Sequence, residues 1–417
     1  MPVGDRLIAP AEALDIILAQ VRPLPVETVP LSVAGGRVLA VPFHADQDLP
    51  AFAAATMDGF AVVSGDVSPW REIVGDQYAG TVEDIEVTEG TAARIMTGAP
   101  LPPGADAVVR VENTELRDDH VIVHQELVFE SENVRPIGAD LRAGQLLVDA
   151  GEVIGPAEIG LLASLGHVDV PVYQRPRVSV LSTGDEVVDP SETPGPGQIR
   201  DSNRFSLELA ARAAGADVIW SGHAPDDASA LRALFQERIA ASDALVTSGG
   251  VSMGERDLVK GLLAELGTVH FRRLFMKPGK PFNFATVGGT LVFGLPGNPV
   301  SALVGFEVFV TAALQTMAGR REPTARPVTV TLEHDVEPTD RLEYQRGVVW
   351  SDDHGVLHAR NTGSQSSARL LSLVGSNAFV LIPPRAEPYR AGERVQAIVR
   401  GVVAGGPPRS GRAGDAD

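Results

Sequence analysis

Residues 243–257, Asp-Ala-Leu-Val-Thr-Ser-Gly-Gly-Val-Ser-Met-Gly-Glu-Arg-Asp, break a short apolar run into a loop of serine and glycine. Glycine imposes no Cβ and permits φ > 0, so the loop formed by Ser248, Gly249, Gly250, Ser252 and Gly254 can turn backbone N–H groups and hydroxyls onto one anion. Asp257 sets a carboxylate beside that cradle. The chemistry suggested is binding of a phosphate or a similar oxyanion; a tight strand-to-helix connection fits the same residues.

Lysine usage adds to this reading. Of 35 basic side chains only Lys260, Lys277 and Lys280 are lysine, all in one short window. An ammonium is a compact point charge, whereas guanidinium is a wide planar fork. A site that keeps Lys277 and Lys280 in a chain otherwise furnished with arginine points to close contact with an oxyanion. Carboxylates at Glu186, Asp226 and Asp257 complete the set, and together they are the parts of phosphoryl-type transfer assisted by a hard divalent cation such as Mg2+. For Asp226 and Asp227 a helix cap is the competing reading, because a helix follows at once.

The elements that must position these groups lie between residues 177 and 326. The pattern predicts strands at 178–181, 218–220 and 244–247, alternating with helices at 203–214, 228–240 and 257–266. Such alternation makes a mostly parallel sheet with helices on both faces, in which ligands sit beyond the carboxyl ends of the strands. Those ends carry Ser182-Thr183-Gly184-Asp185-Glu186, Asp226-Asp227, the Ser248 loop and Gly294-Leu-Pro296-Gly297-Asn298-Pro299. The last of these opens a helix near Val300, whose N-terminus adds a positive dipole end.

Around this block the grammar differs. Residues 10–21 predict a docking helix with Leu14, Ile17, Leu18 and Val21 on one face, and 156–165 a second helix; 171–176 read as a linker. Residues 64–144 read as a separate β module with strands at 91–96, 107–111, 120–124 and 127–129. Within or beside it Asp58, Thr97 and Asp140 stand next to glycines, where turn chemistry and ligand contact fit equally. Strands at 328–332, 347–350, 378–382 and 394–399 predict a small C-terminal barrel or sandwich. The resulting domains are 1–42 with 145–176 as a discontinuous linker domain, 43–144 inserted, 177–326 α/β, 327–404 barrel, and 405–417 an expected disordered tail.

A net charge of −19 argues against a broad nucleic-acid or anionic-membrane surface and confines anion binding to focused sites. The absence of cysteine excludes disulfides, thiolate metal sites and cysteine nucleophiles. The first 25 residues lack the pattern of a secretory signal, and the apolar stretch 300–314 contains Glu307 and is too short to span a bilayer, so a cytoplasmic protein without membrane partners is expected.

Five motifs in order, Met57-Asp-Gly-Phe-Ala61, Ser182-Thr-Gly-Asp-Glu186, Ser248-Gly-Gly-Val-Ser-Met-Gly-Glu-Arg-Asp257, Lys277-Pro-Gly-Lys-Pro281 and Gly294-Leu-Pro-Gly-Asn-Pro-Val-Ser301, resemble the MoeA family of molybdopterin molybdenumtransferases, related to the gephyrin E domain. The resemblance spans residues 7–400. It implies a multidomain α/β plus β fold, with a three-layer α/β domain of the molybdopterin-binding type, an inserted β-rich domain, an extended linker domain and a C-terminal small β-barrel. The implied reaction inserts molybdate into adenylylated molybdopterin with metal-dependent release of AMP, giving molybdenum cofactor. It further implies a homodimer whose active site is shared between subunits, and as partners the adenylyltransferase that makes the substrate and molybdoenzyme-maturation proteins.

Carried onto this chain, the resemblance gives the pterin nucleotide to the 248–254 loop and to residues 296–301, with Thr183 and Gly184 beside it. Glu186, Asp226 and Asp257 would face the metal. Lys277, Lys280, Ser252, Ser301, Arg341 and Ser367 would form the molybdate pocket. Asp58, Thr97 and Asp140 would come from the partner subunit. The stretch Gly363-Ser-Gln-Ser-Ser-Ala368 lacks the Gly-Ser-His sequence that many members carry after the glutamine, a departure that bears on the last-domain contacts and on Ser367 especially.

Two other readings share parts of this pattern. A molybdopterin adenylyltransferase has the same α/β architecture, but typically carries Gly-Gly-Thr-Gly where Val251-Ser252 follows Gly250 here, and a threonine where Val259 stands. A non-catalytic, gephyrin-like scaffold has no need of Lys277, Lys280, Asp257 and Glu186 together.

Overall fold

The computed structural model describes residues 6–224, 227–250 and 258–407. The chain forms two compact units, one of residues 41–150 with 156–168, the other of residues 1–40, 151–155 and 169–417.

The larger unit is built on a six-stranded sheet, in the order Asp217–Ala224, Arg177–Thr183, Ala244–Ser248, Thr290–Leu295, Pro281–Val287, Thr268–Arg273. The first four strands run parallel, Pro281–Val287 runs antiparallel to both its neighbours, and Thr268–Arg273 therefore runs in the same direction as the first four. Ala244–Ser248 and Thr290–Leu295 are buried along their whole length, as strands covered on both faces must be. One face packs on the helix Asn203–Ala213, the helical run 299–317 and the N-terminal helix Pro10–Ala19, through Leu207, Ala211, Phe306, Phe309 and Ile17. The other packs on Ala228–Ala241 and Leu258–Leu266 through Leu231, Phe235, Leu262 and Leu263. This is the expected three-layer architecture.

Several details correct the expectations. The apolar helix is longer than 300–314: Pro299–Met317 has 19 residues and is long and apolar enough to cross a membrane by length and composition, yet 67% of it is buried inside the unit. Its Glu307 pairs with Arg400. Residues 171–176 are only partly a linker, because the strand Asp169–Tyr173 pairs antiparallel with Val26–Pro30. The hairpin Pro281–Val287 to Thr290–Leu295, absent from the expected elements, turns at Gly288 and Gly289, both at positive φ.

The C-terminal strands close into a barrel. Leu342–Ser351 pairs with Leu357–Asn361 on one side and Ala378–Ile382 on the other, and Val328–Leu332 and Arg394–Val399 complete the ring. The first of these strands starts five residues before the expected 347 because Glu343, Gln345 and Arg346, polar by type, are buried. Ala404–Gly405 pairs with Trp350–Ser351, so the ordered chain runs past 404. The remainder of the expected tail, 408–417, lies outside the described residues.

The smaller unit carries a six-stranded sheet in the order Ala107–Arg110, Gly59–Val62, Thr91–Ile95, Trp70–Gln77, His120–Val123, Thr114–Arg117. The expected strand at 127–129 does not form, and Phe129 instead donates its backbone N–H to the Glu132 carboxylate. Its longest strand, Trp70–Gln77, alternates exposed and covered residues rather than forming an apolar run.

Candidate active site at the carboxyl edge of the sheet

Register alone brings the strand exits together. Ser182 lies opposite Ser248 on one side and His223 on the other, and Ser248 lies opposite Leu295. The edge they share opens into a cleft of ≈ 640 Å³, reached by Thr183, Glu186, Ser248, Gly249, Gly250 and the 296–299 turn. All of these were expected at the site.

The glycines are needed for their backbone. Gly249 has φ +89° and Gly250 φ +64°, and a Cβ on Gly249 would lie 2.5 Å from the Thr183 carbonyl oxygen. On Gly250 it would lie 2.6 Å from Val259 Cγ2. The turn is therefore pressed onto the end of the neighbouring strand, with the Thr183 hydroxyl buried beneath it and unpartnered. Gly184, at φ +128°, lies under the Glu186 carboxylate, where a Cβ would stand 2.6 Å from Oε2. Two helix N-termini, at Asn203 and Pro299, contribute residues to the same cleft and turn their positive dipole ends toward it, although Arg204 N and Val300 N are already taken by Asp201 and Ser367.

A second cleft of ≈ 610 Å³ is lined by Lys277, Lys280, Ser301, Arg341 and Ser367. These are the described members of the expected oxyanion pocket, now gathered from the sheet domain and the barrel. Pro281, Pro296 and Asn298 line both clefts, so the two are adjoining. Ser367 is fixed although the stretch around it departs from the common family pattern: Asn298 Nδ2 donates to its hydroxyl at 3.1 Å, and Val300 N donates to its carbonyl at 3.2 Å. Ser252, Gly254, Asp226 and Asp257 lie outside the described residues.

For the expected metal, the described residues supply Glu186 and the buried Thr183 hydroxyl, hard oxygen donors of the kind magnesium takes. Among the described residues no group of three or more acidic or histidine side chains is placed to hold a metal by itself. Asp227 caps its helix, accepting the Ala230 N–H at 2.7 Å, so for this residue the cap reading holds.

In the smaller unit, Asp58 Oδ1 accepts from both the N–H (2.7 Å) and the hydroxyl (2.8 Å) of Thr97. The backbone N–H first and then the hydroxyl hold the Asp58 carboxyl below its usual range. Asp140 pairs with Arg135, the second residue of the strand Val134–Arg135, which is paired with Ala54–Ala55.

Models of three domains match the chain in order: the MoeA N-terminal region (domain I and II) over residues 8–166, a probable molybdopterin binding domain over 179–316, and the MoeA C-terminal region (domain IV) over 329–399. The chain belongs to the MoeA family. It is 35% identical over 382 residues to the molybdopterin molybdenumtransferase of Haemophilus influenzae, covering 89% of this chain and 94% of that one. It is 34% identical to the gephyrin of Dictyostelium discoideum, covering 94% of this chain and 62% of gephyrin. The crystal structure of the molybdopterin biosynthesis moeA protein from Pyrococcus horikoshii superposes with a TM-score of 0.81 at 28% identity, covering 94% of this chain and all of that one.

Against the MoeA frame, sequence reading passed over several residues that the fold brings to the site. Asp201 is buried at the edge of the first cleft, where it accepts the Ser182 hydroxyl and Arg204 Nε at 3.2 Å. Arg346 is buried in the barrel and donates to Ser366 O and Ser372 Oγ, both at 3.1 Å, while its own N–H goes to Gln365 Oε1 at 2.8 Å. That lattice holds the 365–367 segment in place. The signal available for Asp201 was Asp-Ser-Asn ahead of a helix, which reads as capping chemistry. For Arg346 there was none, since charged residues in a strand ordinarily point to water.

Proposed function

We propose that this chain is a molybdopterin molybdenumtransferase, which inserts molybdate into adenylylated molybdopterin with release of AMP and so yields molybdenum cofactor. The observation that carries the reading is the adjoining pair of clefts: one walled by a glycine turn and two helix N-termini, the other by two lysines, an arginine and two serines. The first suits a phosphorylated pterin nucleotide, and the second suits a tetrahedral oxyanion such as molybdate. Flanking MoeA N-terminal and C-terminal regions support this reading over an adenylyltransferase built on the α/β domain alone.

On this reading Gly249 and Gly250 let backbone approach the phosphates, and Lys277 and Lys280 hold molybdate beside the dithiolene. Ser301, Arg341 and Ser367 orient its oxygens. Glu186, with Asp226 and Asp257, would hold Mg2+, which when bound neutralises charge on the pyrophosphate being cleaved. Asp58, Thr97 and Asp140 would complete the site of a second copy in a homodimer acting in the cytoplasm, with the substrate supplied by the adenylyltransferase and the product passed to molybdoenzyme-maturation proteins.

Incubation with adenylylated molybdopterin, molybdate and Mg2+ should release AMP and generate cofactor that activates an apo-molybdoenzyme. AMP release no greater than in an enzyme-free control overturns the proposal.

A further inference from the structure

Between the glycine turn and the 296–299 turn lies Asn203, the first residue of the helix Asn203–Ala213. Its side-chain nitrogen donates twice, to Ser248 Oγ and to the Gly297 carbonyl oxygen, each at 2.7 Å. A carbonyl can only accept, so the amide orientation is set by chemistry. Ser248 Oγ in turn donates to Pro296 O at 3.4 Å, and Gly249 N donates to Leu295 O at 3.2 Å. A Cβ on Gly297 would find Gly249 Cα at 4.0 Å, so the two turns touch. Asn203 Oδ1 is buried and has no partner, in a chain where most buried polar atoms have one.

From these contacts we infer that Asn203 is a positioning residue: it ties the 248–250 and 296–298 turns together and sets the width of the cleft between them. The inference rests on the nucleotide reading of that cleft for its consequence in turnover, not for the tie itself. Both turns belong to separate strand exits, and the strand register ends at Ser248 and Leu295. Beyond it the weak Ser248 Oγ–Pro296 O contact joins the turns directly, and the Asn203 amide adds a shorter bond to each. Loss of either bond lets the phosphate-facing N–H groups of one wall shift against the other, which weakens a ligand bridging them. No other residue type of that size offers two donors from one atom, and aspartate would set an oxygen against the Gly297 carbonyl.

The test uses the full chain. Asn203→Asp should raise KM for adenylylated molybdopterin about tenfold, since it replaces the donor of both bonds with an acceptor and sets an oxygen against the now unpaired Gly297 carbonyl, while the melting temperature stays near wild type. In a cycle of Asn203→Ala, Ser248→Ala and the double variant, the double should lose less than the sum of the two single losses, because both singles remove the shared Asn203–Ser248 bond. Additive losses, or an unchanged KM in Asn203→Asp, overturn the inference. If wild type releases no AMP, the transferase reading fails by itself. The tie is then read from hydrogen exchange of the Gly249 amide, expected about tenfold faster in Asn203→Asp. An unchanged exchange rate overturns it whatever the activity. Ser248→Ala keeps the bond to Gly297 and provides the same exchange measurement if the Asn203 variants fail to fold.

Discussion

Lys277 Nζ lies 3.4 Å from Glu343 Oε1, so the lysine of the second cleft leans on a carboxylate buried inside the barrel. Glu343 is only 4% exposed and takes the Gln345 amide at 3.1 Å on its other oxygen. The ammonium is thereby aimed from behind, with the cleft in front. A guanidinium is too wide to keep both relations. Lys277→Arg and Lys280→Arg should each lower AMP release by about tenfold or more although charge is retained, in single-turnover assays at saturating nucleotide. Turnover equal to wild type contradicts the close-contact role.

The same glutamate has a structural duty. Arg346 is 1% exposed, burial pushes its guanidinium down to about 10, and the Glu343 charge opposes that shift. Glu343→Gln keeps the shape but leaves a buried cation without its anion. It should cost about 3 kcal/mol of stability, read by urea denaturation. A loss below about 1 kcal/mol would mean that the hydrogen bonds the guanidinium donates to Ser366 O and Ser372 Oγ suffice.

Two glycines of the first cleft should answer differently to alanine. Gly249→Ala meets the Thr183 carbonyl at 2.5 Å in a left-handed backbone, whereas Gly297→Ala meets nothing closer than 4.0 Å. The first should lose about 2 kcal/mol or more, and the second should melt close to wild type.

Subunit sharing is tested by mixing. Asp58→Ala and Lys277→Ala should each be inactive alone, since the proposed site takes Asp58 from one subunit and Lys277 from the other. Mixed in equal amounts after dissociation, they should recover about a quarter of wild-type activity, because about half the dimers are mixed and each has one intact site. No recovery places both residues in one subunit's site, or Asp58 outside it.

Acid should weaken the barrel through one turn. Glu393 accepts both Arg385 guanidinium nitrogens at 2.8 Å and the Arg390 N–H at 2.7 Å. The Arg385 hydrogen bonds first, then the backbone N–H, lower its pKa from 4.5 to about 2. A carboxyl depressed on folding stabilises the native state above its unfolded pKa and stops doing so as pH falls through the folded value. Between about pH 4.5 and 2, wild type should therefore lose more melting temperature than Glu393→Gln. Parallel curves exclude this turn as an acid-sensitive contact.

The alternation of strands and helices from residue 177 was legible from short apolar runs of the kind a strand covered on both faces carries, Val178, Val180 and Leu181 in one strand and Ala244, Leu245 and Val246 in the next. Strand exits followed, and with them Glu186, Ser248 and Pro296. The hairpin at 281–295 was not read as strands, although its Gly288-Gly289 turn stands in the sequence. Leu342–Arg346 was invisible for the opposite reason: Glu343, Gln345 and Arg346 look like surface and are buried by bonding one another and the 365–372 segment. Asn203 reads as a helix-starting residue, and only the third dimension shows that its amide faces two turns from distant parts of the chain.

Pro281, Pro296 and Asn298 form a party wall between the two clefts. An occupant of either cleft meets the same three residues, which gives the two a common surface through which binding can couple. By reciprocity, whatever factor bound nucleotide adds to molybdate affinity, bound molybdate returns to the nucleotide. The order in which the two arrive then alters the kinetics of loading but not the final occupancy.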